Sequence, residues 1–224
     1  MVTFIIPTLW KSECIYKTID AIQASTISGI ELFIFDNAKS GYESPDSRIK
    51  VVNDKDYWVN PAWNRGVELA SNEWICLLND DIHVNVDLLC KTFKRDVIDK
   101  PEVVSSFGNL GYKTSQPFYE EINGDNEELN VIPQPFKGNG YGQLIIINKK
   151  DWSPIPEYFR VYFGDDFIHY VTENLLQKQS LCFDNLKAIG QYSATSREIE
   201  YILQQEFTFW NKAVNDIRDK LTNN

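Results

Sequence analysis

Apolar and polar positions along the first half of the chain follow two alternating periods. Val2-Thr3-Phe4-Ile5-Ile6 is a buried-strand pattern ended by Pro7. Behind it, Ser12 is a candidate cap for a helix whose apolar positions Ile15, Ile19 and Ile22 recur at helical spacing. Residues 30–35 (Ile-Glu-Leu-Phe-Ile-Phe) predict a second strand ending at Asp36-Asn37, and Ile49-Lys50-Val51-Val52 a third. Asn60-Pro61 places a capping side chain before a proline at the first helical position, for a helix running to about Ala70. Trp74-Ile75-Cys76-Leu77-Leu78 is a near-continuous apolar strand that stops at Asn79-Asp80-Asp81. Asn85 is a candidate cap for a helix that turns Leu88, Leu89 and Phe93 inward, and Val103 to Phe107 is a further strand.

This alternation predicts an α/β sandwich on a mostly parallel sheet. In such sheets the ligand site lies beyond the carboxyl ends of the strands. The polar residues to watch are therefore Pro7-Thr8, Asp36-Asn37 and Asn79-Asp80-Asp81. Residues 108–142 break the rhythm with clustered glycines and acids, as a solvated excursion or a mobile loop over the site. Gln143 to Asn148 returns as a strand. Tyr162-Phe163-Gly164-Asp165-Asp166 leads into a helical pattern through about Lys178, and 181–183 and 186–189 read as short closing strands. The last segment is a helix with a capping-box pair at Thr195 and Glu198. Its stripe is Ile199, Ile202, Leu203, Phe207, Trp210, Val214, Ile217 and Leu221. Packing on the parent domain is the favoured use of this stripe, with a homodimer contact or an acceptor wall as the alternative. No linker composition separates two domains. The expected organisation is one domain over 1–224, with a first part (1–107), a second part (108–195) and a C-terminal amphipathic helix (196–222).

Composition narrows the function classes. The formal net charge of -10 and pI near 4.7 disfavour non-specific nucleic-acid binding. Cys14, Cys76, Cys90 and Cys182 share no CxxC spacing, so reduced buried thiols are expected rather than a zinc site. The amino terminus runs straight into a strand without a signal-peptide pattern, and no apolar run approaches a membrane span. The expected location is the cytoplasm.

Four clusters offer chemistry. Asn79-Asp80-Asp81 puts oxygen ligands at a strand end, where adjacent carboxylates suit a hard cation such as Mg²⁺ or Mn²⁺, or simply form an acidic turn. Asp36-Asn37 can accept hydrogen bonds from a ribose or base, or act as turn formers. Asn60 and Asn64, four apart, share a helix face; Arg65 can reach a phosphate or stay solvated. Asp165-Asp166 can supply a general base, with one pKa raised by its neighbour, or a plain helix cap. The two histidines, His83 and His169, each follow an acidic pair.

Phe4-Ile5-Ile6-Pro7-Thr8, Phe33 to Asn37, Asn64-Arg65-Gly66, Leu77 to Asp81 and Tyr162 to Asp166 come in the order and spacing of family 2 glycosyltransferases. The resemblance covers roughly residues 2–190 and implies the GT-A fold, with 1–107 as a nucleotide-sugar-binding half and 108–195 as an acceptor-binding half. It also implies transfer of a sugar from a UDP- or dTDP-sugar to a glycan or other hydroxyl, with inversion and with a divalent cation, Mn²⁺ or Mg²⁺. Asp166 looks like the catalytic base and Asp165 its companion. Pro7, Thr8, Asp36, Asn37, Asn64 and Asp80 look like donor contacts, and Asp81 with Asn79 like the metal ligands of the DxD motif. The Leu-Leu-Asn start of that motif is similar to the rhamnosyltransferase-like branch. Three departures stand out: Asn79 in place of the first Asp, Leu9-Trp10-Lys11 in place of Tyr-Asn-Arg, and Gln191 where the family often has a histidine. Two other functions are compatible with the pattern: a viral-type DNA-base glycosyltransferase, and a non-catalytic nucleotide-sugar-binding module.

Overall fold

The computed structural model describes residues 1–95, 106–108, 121–133, 142–183, 185–190 and 200–222. Seven-residue runs that are apolar on both faces form the centre of the sheet. β1 (Val2–Thr8) pairs in parallel with β2 (Ile30–Asp36), and every residue of both is buried. Burial on both faces explains the continuous rather than alternating hydrophobicity. β3 (Ile49–Val52) extends the sheet beyond β2, and β4 (Trp74–Leu78) joins the other side of β1, both in parallel. The topology then changes. β8 (Leu144–Asn148) runs antiparallel to β4, followed by β6 (Ser106–Gly108), β9 (Ser180–Phe183) and β7 (Val131–Pro133). The eight strands lie in the order β3-β2-β1-β4-β8-β6-β9-β7. β5 (Ile82–His83) pairs with β10 (Ile189–Gly190) as a separate two-stranded ribbon.

The pleat sends alternate residues into two cores. Phe4, Ile6, Leu32, Ile34, Cys76 and Leu78 face α1 (Cys14–Ala24) and α3 (Val86–Phe93). Ile5, Phe33, Phe35, Ile75, Leu77 and Ile145 face α2 (Val59–Leu69) and the C-terminal α5 (Glu200–Thr222). The result is the expected α/β/α sandwich. Gly66 lets α2 lie close on the sheet, since a Cβ there would meet Ile5 at 2.6 Å.

Local details correct several expectations. Helix α2 starts two residues early: Trp58 stands at its cap, and Asn60, buried at 0% exposure, lies inside the first turn. Asn60 is drawn in by bonds to the chain near residue 160. Ser12 does not cap α1, which Glu13 precedes, although its Oγ accepts from the Cys14 N–H at 3.1 Å. Asn85 does cap α3, accepting from the Leu88 N–H at 2.9 Å. Helix α4 (Gly164–Tyr170) widens into a π-type turn over Val171–Leu175 and stops short of Lys178. The closing strand expected at 186–189 shrinks to Ile189–Gly190. On α5 the buried positions are Ile202, Glu206, Ala213 and Ile217, whereas Phe207 is 65% exposed. Five residues beyond Ile202 is roughly 140° around the helix, which places Phe207 off the buried face. Thr195, Glu198, Ile199 and Gln191 lie outside the described residues, as does most of the 108–142 stretch. No described helix is long and apolar enough to cross a membrane.

Candidate active site

The carboxyl ends of β1 and β4, the segment after β2, and the start of α4 surround a cavity of about 660 Å³. Its walls include Pro7, Thr8, Asn37, Asn79, Asp80, Asp81, Asp165 and Asp166. Eight of the ten site residues that the family resemblance implies thus converge from positions up to 159 apart. Asp56, Tyr57, Trp58, Trp63 and Gln143 also line the wall without having been singled out, and Leu203 reaches it from the C-terminal stripe.

The two absentees have structural tasks. Asp36 is buried, and its carboxylate accepts from the Ala38 N–H at 3.1 Å and from the Ser40 N–H and Oγ–H at 2.7 Å each. It shapes the turn after β2, and Asn37 is the member of the pair that reaches the cavity. Asn64 donates to the Ile155 carbonyl and accepts from the Ile155 N–H, both at 2.9 Å, which sews α2 to the 152–158 segment. Arg65, at the surface, pairs with Glu68 at 2.8 Å.

The residues at the end of β4 divide their labour. Asp80 accepts a 2.6 Å bond from the Thr8 hydroxyl, whose oxygen in turn accepts from the Trp10 N–H at 2.8 Å, and so ties β4 to β1. Burial nevertheless pushes its pKa up. Asp81 is pushed further, to about 7, by burial and by the neighbouring Asp80 charge. Its buried Oδ1 has no hydrogen-bond partner. The Asn79 N–H donates to the Gln143 carbonyl at 3.0 Å, joining β4 to the approach to β8.

Across the cavity, Asp166 is pushed up to about 7 by burial and by the Asp165 carboxylate beside it, and its Oδ1 is also buried without a partner. Gly142 makes room for this pair, because a Cβ there would come within 2.9 Å of Asp165 Oδ2. Gly164 does the same for Asn60: a Cβ at 164 would overlap the Asn60 side-chain amide. Gln143 Oε1 and Trp63 Nε1 are two more buried polar atoms of the wall without partners. Unsatisfied buried groups are costly, and several around one cavity mark where ligand atoms belong.

The donor set suits a hard divalent cation. Mg²⁺ and Mn²⁺ sites commonly use one or two protein carboxylates, with water and substrate phosphates filling the remaining positions. Asp81 offers an unengaged buried oxygen and Asn79 lies beside it. Among the described residues no group of three or more acidic, histidine or cysteine side chains converges, so a phosphate would have to complete the shell. Neither histidine lines the cavity. His83 sits 3.1 Å from the Thr18 hydroxyl and His169 3.2 Å from that of Ser180, and burial lowers both pKa values to about 4. Cys14, Cys76 and Cys90 are free and buried, as reduced core thiols.

Among the described residues, the α/β sandwich gathers acidic strand ends around this cavity. Comparison with solved structures supports the fold: the chain superposes on TarS of S. aureus with a TM-score of 0.55 at 11% identity, covering 93% of this chain and 39% of that one. It superposes on TarS 1–349 with a TM-score of 0.53 at 12% identity, covering 92% and 64%. It therefore spans less than two thirds of either structure. The mannosyltransferase PcManGT from Pyrobaculum calidifontis, in complex with GDP-Man and Mn²⁺, aligns at a TM-score of 0.44, 15% identity, and 66% and 44% coverage. No curated protein matches the sequence. Residues 3–123, more than half of the chain, match glycosyl transferase family 2, and the chain belongs to that family.

Proposed function

We propose that this protein transfers a sugar from a nucleoside-diphosphate donor to an acceptor hydroxyl, with inversion at the anomeric carbon. The observation that carries the reading is the pair Asp81 and Asp166 on the walls of one cavity. Each has a buried oxygen without a partner and a pKa near 7. A general base with a pKa near the working pH is the most effective one. Asp166 takes the proton of the acceptor hydroxyl as its oxygen bonds to the anomeric carbon. The bond from that carbon to the diphosphate oxygen breaks, and its electron pair leaves with the diphosphate. Asp165 orients the acceptor or its partner carboxyl.

The described wall holds five aspartates and no lysine or arginine. A diphosphate entering it needs a counter-charge, and Asp81 with Asn79 would hold the cation there. When bound, a divalent ion supplies the electrostatic stabilisation of the departing diphosphate. Asp80, through Thr8, keeps that strand end in place. Pro7, Thr8 and Asn37 line the nucleoside side, and Tyr57 is braced there by its N–H bond to Asn37 Oδ1 at 2.7 Å. A UDP- or dTDP-linked hexose or pentose and a glycan acceptor fit this reading, as does the rhamnosyltransferase-like branch suggested by Leu77-Leu78-Asn79.

The test is donor hydrolysis, with water in place of the acceptor, across UDP- and dTDP-sugars with and without Mn²⁺. Turnover should require the cation and fall about 10²–10⁴-fold in Asp166→Asn while donor affinity holds. Donor binding without any turnover in the wild type would instead mark a non-catalytic module.

A further inference from the structure

Glu206 on α5 is fully buried, at 0% exposure, yet it does not line the cavity. Its carboxylate accepts from three consecutive backbone amides. Oε1 takes the Arg160 N–H at 2.7 Å and the Val161 N–H at 3.2 Å; Oε2 takes the Tyr162 N–H at 2.8 Å and the Val161 N–H at 3.3 Å. The Arg160 guanidinium Nε stands 3.8 Å away, and Arg160 also donates to Gln205 at 3.0 Å. The same segment is held from the opposite side by α2. The Asn60 N–H donates to the Arg160 carbonyl at 2.9 Å, and Asn60 Nδ2 to the Tyr162 carbonyl at 3.0 Å. Three amides and two carbonyls of residues 160–162 are thereby fixed by two helices.

The residue that follows this clamp is Phe163, at φ 61° and ψ 2°. A bulky side chain avoids this left-handed region and stays there only where its surroundings over-determine it. Phe163 is also the cap of α4, whose first turn carries Asp165 and Asp166. The direction in which α4 leaves the clamp therefore decides where the Asp166 carboxyl sits. A buried carboxylate is costly unless its oxygens are bonded, so an apolar residue would serve this helix face better if filling space were the only task.

We infer that Glu206 is a positioning residue: it fixes the backbone of residues 160–162 and, through the left-handed Phe163, places Asp166 against the acceptor. The inference rests on the reading of Asp166 as the base. Glu206→Gln keeps the shape but turns an NH₂ group toward backbone N–H donors. Glu206→Asp keeps the charge and retracts it by one methylene.

The experiment measures donor hydrolysis and Mn²⁺-dependent UDP affinity for wild type, Glu206→Gln, Glu206→Asp and Asp166→Asn, each scored per folded molecule. Turnover should fall about 10- to 10²-fold in Glu206→Gln, the cost of a small misplacement of a reacting group, with UDP affinity unchanged. Glu206→Asp should recover part of the loss. If Glu206→Gln does not fold, Glu206→Asp carries the test, with an expected loss of several-fold in turnover and none in affinity. Wild-type turnover in a folded Glu206 variant that merely melts earlier would overturn the inference while leaving the function intact, provided Asp166→Asn is inactive. Full activity in Asp166→Asn would overturn both.

Discussion

Asp81 and Asp166 are carboxyl groups in surroundings that favour their neutral form, and each keeps one buried oxygen without a partner. The consequence for stability has a definite sign. Their pKa values are raised in the folded chain from 3.8 to about 7, so between those limits the folded state binds more protons than the unfolded one. Stability contributed by the protonated groups is full at low pH and is lost as pH rises through 7. Asp81→Asn should therefore raise the melting temperature of the ligand-free protein most at pH 8 and clearly less at pH 5, which lies inside the window over which the contribution is lost. Each kcal/mol gained corresponds to roughly 2–4 °C for a chain of this size. Thermal denaturation at the two pH values checks this; an equal effect at both would mean that Asp81 is not held near neutrality.

At the scale of elements, the site depends on how α2, α4 and α5 meet around residues 152–163. Asn64 belongs to this joint, through its paired bonds with the Ile155 backbone. Asn64→Ala should cost about 1–3 kcal/mol by leaving buried backbone groups unsatisfied. Nucleotide affinity should stay at the wild-type value, and chemical denaturation together with a UDP titration separates the two effects. Loss of affinity in a stably folded variant would restore Asn64 to the donor site. The strand-end residues Thr8, Asn79, Asp80 and Asp81 are legible in the sequence because an apolar run stops abruptly at polar side chains, and the parallel sheet fixes which end faces the ligand. Asp36 and Asn64 satisfy the same local rule, but local spacing does not reveal that their side chains close a turn and a helix joint. The task of Asn60, named only as a cap and a helix-face residue, and Glu206 altogether escape local reading for the opposite reason, since their partners lie 102 and 44 to 46 residues away. For Glu206 one signal exists: it falls on the stripe of Ile202, Ala213 and Ile217, where a charge is out of place. The right-hand half of the sheet, where β8, β6 and β9 mix directions, has no signature in hydrophobic period alone.

At the scale of the molecule, the parallel half of the sheet carries its polar strand ends into one cleft, and the C-terminal helix adds to its wall through Leu203. An acidic chain with an acidic cleft would repel a free diphosphate. Under the proposed function, affinity for the donor depends on a cation, and on Asp81 above all. The most direct measurement is calorimetric titration of UDP and dTDP into wild type and Asp81→Ala, with and without Mn²⁺. The wild type should bind with Mn²⁺ present and little or not at all in its absence, and a folded Asp81→Ala should lose the Mn²⁺-dependent binding. Equal Mn²⁺-dependent affinity in the two proteins would contradict that role of Asp81.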